Sequence, residues 1–393
     1  MIYFDNAATS WPKPPEVLAA VEHCLKELGA NPGRSGHTMS VKTNHMVNET
    51  RELLAWLFNI PDAERIVFTL NATDALNLAL KGLLKPGDHV ITSSMEHNSV
   101  TRPLHTLAEA GVEVTKIACA PDGSLPLADV EQACRENTRA LVFTHASNVT
   151  GTLMPLAELG QLARSKGLVL VVDAAQTAGL FDIDAAALGI GLLAFPGHKG
   201  LLGPPGTGGL YIHKDINLKP LREGGTGSHS ETAGQPEVLP ERFESGTMNT
   251  AGIAGLGAGL KYIRQRGRNA ILAHEQELTQ RFLAGASRIK GLKIYGSEPG
   301  KDRAPVVSFA LEGKKAGVVG QKLNQDYHIA ARAGLHCAPD AHHTLGTFDQ
   351  KLIRFSFSYF NQPEEIDYAL KILAELAVMK AELSPGDNAG CNC

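Results

Sequence analysis

The stretch "LVLVVDAAQ", residues 168–176, sets five apolar residues in a row before an aspartate, Asp173. A short, Val-rich apolar run without polar alternation reads as a strand buried on both faces, the kind found in parallel sheets covered by helices. A carboxylate ending such a strand is costly unless it meets a partner. The neighbouring sequence repeats the pattern. "ERIVFTL" (64–70), "HVITSS" (89–94), "VEVTKIA" (112–118) and "RALVFTHAS" (139–147) read as strands. Helical segments "ATDALNLALKGLL" (72–84), "VTRPLHTLAEAG" (100–111), "LADVEQACREN" (127–137) and "LAELGQLARSKG" (156–167) alternate with them. Such alternation implies right-handed crossovers and a mostly parallel sheet, with ligands outside the carboxyl ends of the strands.

Outside this block, "PPEVLAAVEHCLKELG" (14–29) reads as a helix with Val17, Leu18, Val21, Leu25 and Leu28 on one apolar face. Residues 222–250 form a long, glycine-rich polar stretch of the sort that carries function or an interface. One long helix is expected over residues 251–288. A smaller α+β unit follows, with strands "PVVSFAL" and "LIRFSFSYF" and helices "KAGVVGQKLNQD" and "PEEIDYALKILAELAVMKAEL". The domain boundaries are read as 15–250 for a large domain, 1–14 with 251–384 for a small one, and 385–393 for a flexible tail bearing Cys391 and Cys393.

The 393 residues are 43% hydrophobic and 20% charged, with 37 basic against 41 acidic residues and a net charge of −4. No basic run points to nucleic acid or an anionic membrane. No stretch approaches the roughly 18 apolar residues of a membrane span, and no signal peptide is visible at the N-terminus. Six scattered cysteines do not read as a disulfide framework, so a reducing cytoplasm is expected.

Polar residues collect where these strands end. Asn71, Ala72 and Thr73 open a helix whose free N–H groups suit a phosphate, although Asn71 or Thr73 acting as a simple cap is the plainer reading. His97 follows "HVITSS", Asn148 follows "RALVFTHAS", and Asp173 and Gln176 lie within the opening stretch. Lys199 sits in "GHKGLLGPPGTGG" (197–209). A nucleotide-binding P-loop has its glycines before the lysine and Ser or Thr after it, and here that order is reversed. A lysine for an aldehyde, a carboxylate for a ring nitrogen, a flat imidazole and a helix N-terminus together meet the needs of pyridoxal phosphate.

The sequence resembles the class V aminotransferase group of fold type I pyridoxal phosphate enzymes, and within it the cysteine desulfurases and selenocysteine lyases. The resemblance runs through "YFDNAAT" (3–9), "FTLNATDALNLA" (68–79), "MEHNS" (95–99), "SNVTGT" (147–152), "VDAAQ" (172–176), "GHKGLLGPPGTGGLYI" (197–212), "FESGTMNT" (243–250) and "RAGLHCA" (332–338). It implies an α/β fold with a mostly parallel sheet and a smaller α+β C-terminal domain. It implies that Lys199 links covalently to the cofactor and that Asp173 meets the ring nitrogen. Gln176 then meets the ring oxygen and His97 stacks on the ring as a catalytic group. Ala72, Thr73 and His198 hold the phosphate, and Thr247 reaches the phosphate of a second subunit in a homodimer. Asn148 sits beside the cofactor ring, near the substrate, and binds both, while Arg354 takes the substrate's carboxylate through a bidentate fork.

"RAGLHCA" resembles the second group of desulfurases, which carry their cysteine on a short ordered loop. Cys337 then takes sulfur from L-cysteine, or selenium chemistry from L-selenocysteine, and leaves alanine. The thiolate is the reactive form of a cysteine, and Arg332 is a neighbouring cation that favours it, as well as a substrate-binding group. The sulfur passes to an acceptor protein or small thiol. Cys391 and Cys393 are candidates for a relay, against the plainer reading of a frayed end. Pro196 stands where many relatives have serine, and Asn98 where many have a second histidine. His342 and His343 are read as polar surface residues rather than a metal pair, and no metal is expected. The alternatives are transamination or another β-elimination on the same scaffold, and a non-catalytic sulfur carrier.

Overall fold

The computed structural model describes residues 1–33, 36–227, 231–297 and 303–379; the tail with Cys391 and Cys393 lies outside them. A seven-stranded sheet runs in the order Ile66–Thr69, Gly208–Ile212, Leu192–Pro196, Val169–Asp173, Thr138–Thr144, His89–Ser93, Glu113–Ile117. Gly208–Ile212 is antiparallel to both its neighbours, and every other pairing is parallel. The expected mostly parallel α/β sheet is therefore present. Separate apolar cores cover its two faces, one containing Leu141, Phe143 and Leu170, the other Val142, Val171 and Leu192. Alternate residues of the same strands feed opposite cores, which explains why these strands are apolar throughout.

Gly208 shows why the antiparallel strand begins with glycines. A Cβ there would lie 2.8 Å from the Asn71 backbone, at the start of helix Ala72–Leu83. A side chain would push away the helix N-terminus that the site uses.

A second, antiparallel sheet joins Arg332–Gly334, Leu352–Ser356, Val306–Leu311 and Leu292–Tyr295 in that order. Helices Arg268–Ala286, Ala316–Tyr327 and Pro363–Val378 pack on it around Phe282, Phe309 and Phe355. Strand Ile2–Tyr3 pairs in parallel with Ile329–Ala330, which places the first residues beside this smaller sheet.

Two expectations are corrected. The single helix over 251–288 is two helices, Thr250–Arg266 and Arg268–Ala286, broken at Gly267 with φ +84°. That left-handed conformation is natural to glycine and ends a helix. In helix Pro15–His23, Val17 is buried, whereas Leu18 is exposed, as is Leu25 beyond it. The packed stripe passes through Val17 and Cys24, against helix Thr250–Arg266, so Leu18 falls on the outer side.

Candidate active site

The carboxyl ends of the parallel strands meet the smaller sheet at a cleft of about 290 Å³. Ala72, Thr73, His97, Asn148 and Asp173 line it from the large sheet, with Gln176, His198 and Lys199 on the segments that follow. Arg332, Cys337 and Arg354 line it from the smaller sheet and its loop. Thr247 does not; it borders a separate depression with Thr69, Gly206 and Asn249.

Local sequence explains each placement. Asn71 caps helix Ala72–Leu83 by accepting from Asp74 N–H at 2.9 Å, so the capping reading of Asn71 holds. This frees Thr73, whose Oγ1 lies 2.7 Å from Ser99 Oγ. His97 caps helix Asn98–Glu109, its Nδ1 accepting from Ser99 N–H at 3.0 Å. That bond puts the ring's hydrogen on Nε2 and keeps the ring neutral. Burial, followed by the nearby Lys199 charge, takes His97 down to about 4.

Asp173 is nearly fully buried, and its Oδ1 accepts from Ala175 N–H at 2.9 Å. Burial pushes this carboxyl upward, while the Ala175 bond and Lys199 pull it back. Beside it lies a carboxyl that stands apart from the expected site residues. Glu96 is fully buried, accepts from Ser93 Oγ–H and from Thr144 N–H, and is raised by burial to about 8. Lys199 is lowered by burial to about 8, against the opposing pull of Asp173. It lines the cleft beside Asp173, Gln176 and His198.

Residues 3–13 wrap this centre. Asp5 Oδ1 accepts from Arg354 Nη2 at 2.8 Å, and Ala7 O accepts from Gln176 Nε2 at 3.2 Å. Thr9 Oγ1 lies 3.1 Å from His198 Nδ1, and Lys13 Nζ donates to His198 O at 2.8 Å. Burial lowers His198 to about 4. Arg354, itself buried, also donates from Nη1 to Asn148 O at 3.0 Å, and its Nε has no partner. Free N–H groups on a fixed guanidinium suit an anionic ligand.

Cys337 is a free thiol, partly exposed to the cleft. Both it and His336 adopt left-handed backbone, with φ of +55° and +54°. Such conformations cost about 1–3 kcal/mol each away from glycine and persist where the surroundings hold them. Asn148 Nδ2 donates to His336 O at 2.6 Å, and Asn98 N–H donates to Cys337 O at 2.8 Å. His342 corrects another expectation. It is fully buried and bonded to His336 and Thr347, because helix Pro339–Thr344 turns it inward. His343 is exposed and stacks on Phe348. Among the described residues no three His, Cys, Asp or Glu side chains cluster to hold a metal.

The model of the family described as Aminotransferase class-V matches residues 2–369. The chain belongs to the class V aminotransferases. Members and structures it resembles include cysteine desulfurases. A probable cysteine desulfurase of Methanothermobacter thermautotrophicus is 36% identical over 389 residues, 96% of this chain and 95% of that one. A cysteine desulfurase of Escherichia coli is 35% identical over 380 residues, 93% of this chain and 91% of the other. The apo structure of a cysteine desulfurase from Thermococcus onnurineus NA1 superimposes with a TM-score of 0.89 at 34% identity, covering 96% of this chain and 94% of that one. For a class V aminotransferase the residues in the cleft fit pyridoxal phosphate. A buried amine, a buried carboxylate, a neutral flat ring and a helix N-terminus face one space, beside a guanidinium with an unpartnered N–H.

Proposed function

We propose that the protein is a pyridoxal 5′-phosphate-dependent cysteine desulfurase, converting L-cysteine to L-alanine and receiving the sulfur on Cys337 as a persulfide. The observation that carries this reading is that Cys337 shares one cleft with Lys199, Asp173 and Arg354. The cysteine desulfurase relatives support it.

Lys199 would hold the cofactor covalently, Asp173 its ring nitrogen, Gln176 its ring oxygen and His97 its face. Ala72, Thr73 and His198 would hold its phosphate. When bound, pyridoxal phosphate supplies an aldehyde for amines and a sink for electrons. Arg354 and Asn148 orient the substrate carboxylate, with Arg332 beside them. Lys199 Nζ, at about 8, gains and loses a proton readily near neutrality. Cys337 Sγ, as thiolate, attacks the substrate's sulfur. The S–S bond forms as the substrate's C–S bond breaks, and the bonding pair stays on the three-carbon unit, which is then protonated to alanine.

The same proposal extends to selenocysteine as a second substrate, a protein or small thiol as sulfur acceptor, and a cytoplasmic home, for which the four unpaired described cysteines speak. It includes a homodimer in which Thr247 serves the partner's phosphate. Its place off its own cleft and the exposed Trp11, Leu18 and Leu25 support that reading. The two-domain division at residue 250 belongs with it. No described helix is long and apolar enough to cross a membrane.

The test is to incubate the protein with L-cysteine, measure alanine, and search Cys337 for added sulfur by mass spectrometry. Cys337→Ser should keep the cofactor's absorbance and lose the persulfide. Alanine formed at the normal rate by that variant would refute the assignment.

A further inference from the structure

Behind the Cys337 loop lies a buried pair of imidazoles. The rings of His336 and His342 are nearly parallel, 16° apart with centroids 5.5 Å from each other. His336 Nδ1 and His342 Nε2 are 3.3 Å apart, and His342 Nδ1 is 2.8 Å from Thr347 Oγ1. His336 and His342 are 2% and 0% exposed, and Thr347 is equally closed off. One hydrogen lies between the rings, so one donates and the other accepts. Burial holds His336 well below its ordinary range and His342 at about 4, and the Arg332 and Arg354 charges near His336 oppose another cation. The pair is therefore neutral. What bears on the loop is the contact between the two rings.

What it holds is the turn that presents the nucleophile. His336 precedes Cys337 directly, and both residues are left-handed. Their carbonyls are tied down by Asn148 and Asn98. Those bonds fix the turn from the large-sheet side. From the other side, His342 N–H donates to Ala338 O at 3.3 Å, and the His342 ring meets the His336 ring. The His342 ring is thus the side-chain anchor that joins helix Pro339–Thr344 to the turn.

We propose that His342 is a positioning residue for the Cys337 nucleophile, acting through its ring contact with His336. The inference rests on the desulfurase reading. Displacing a reacting group by about 1 Å can cost on the order of 100-fold in rate. Loss of the anchor should therefore slow sulfur transfer and leave cofactor and substrate binding intact.

The experiment is a single turnover of the holoenzyme with L-cysteine. It follows the substrate-induced change in cofactor absorbance and, in quenched samples, sulfur on Cys337 by mass spectrometry. His342→Ala should keep the absorbance change and slow persulfide formation about 10- to 100-fold. His342→Gln, whose amide still meets His336 Nδ1, should recover most of that rate. Should the Ala variant not fold, His342→Phe replaces it under the same criteria, filling the space without a hydrogen-bond partner. An unslowed persulfide step overturns the inference. So does an equal loss of both steps, or a folded Gln variant as slow as Ala. Absence of persulfide in the unsubstituted enzyme overturns instead the desulfurase reading on which it rests.

Discussion

Replacing Asp173 by Asn tests the electrostatics of the cleft through Lys199 alone. Burial carries the lysine from 10.5 to about 8, and Asp173 is the strongest group acting in the opposite direction. The displacement corresponds to roughly 3 kcal/mol between the two protonation states. With a midpoint near 8, about half of the Lys199 amines should be neutral at pH 8, compared with well under about 1% of ordinary lysines, an advantage on the order of 100-fold for any reaction needing the free amine. Asn keeps the size of Asp and an oxygen for Ala175 N–H, but not the charge that favours the ammonium. The midpoint should therefore move down, below about 8. The assay labels cofactor-free protein with an amine-directed reagent from about pH 6 to about pH 11 and measures the Lys199 peptide by mass spectrometry. A wild-type midpoint near that of free lysine, or an upward shift in the Asn variant, would refute the reasoning.

Arg354→Lys cannot reach both Asp5 and Asn148 while offering a fork, so kcat/KM for L-cysteine should fall about 10- to 100-fold, mainly through KM, in a steady-state alanine assay. Glu275 is buried and raised by burial to about 8 from 4.5. Its neutral form thus contributes stability that is full below 4.5 and lost as the pH rises through about 8; Glu275→Gln should flatten that part of the pH dependence in denaturant titrations. A Cβ on Gly160 would lie only 1.9 Å from Leu188 O, so Gly160→Ala should cost about 1–3 kcal/mol, read as a lower denaturant midpoint. Deleting residues 389–393 should slow multiple turnover without added thiol if Cys391 or Cys393 accepts sulfur; unchanged turnover would remove them from the reaction.

The central strands were legible because their apolar runs are long and nearly unbroken, and part of the site because Thr73, His97, Asn148 and Asp173 fall at the ends of strands. Helix Thr38–Leu57 was not legible. It buries Ser40, Thr43, Thr50 and Arg51 along with its apolar residues, so no apolar stripe marks it. Arg51 stays buried there by meeting Glu244, a partner far along the chain that no local pattern announces. Strand Gly208–Ile212 was hidden by its glycines, which serve close approach, Gly208 to Asn71 and Gly209 to Phe195, rather than strand propensity. His336 was passed over although it stands inside the quoted motif; its place directly before Cys337 was the available signal. His342 was misread because a short helix has too few residues to show which side faces inward.

The wrap of residues 3–13 around the cleft has a consequence for the timing of folding. Asp5 and Arg354 are 349 positions apart, so during synthesis the first must wait for almost the whole chain to leave the ribosome before they can meet. The large sheet draws on strands between Ile66 and Ile212 and can close long before that. Closing so long a loop comes late and slowly. A half-made chain can therefore possess Asp173 and Lys199 in place while lacking the wall that carries Cys337 and Arg354. Reactive lysine chemistry and sulfur chemistry are thereby separated in the life of each molecule, and only the finished chain owns both.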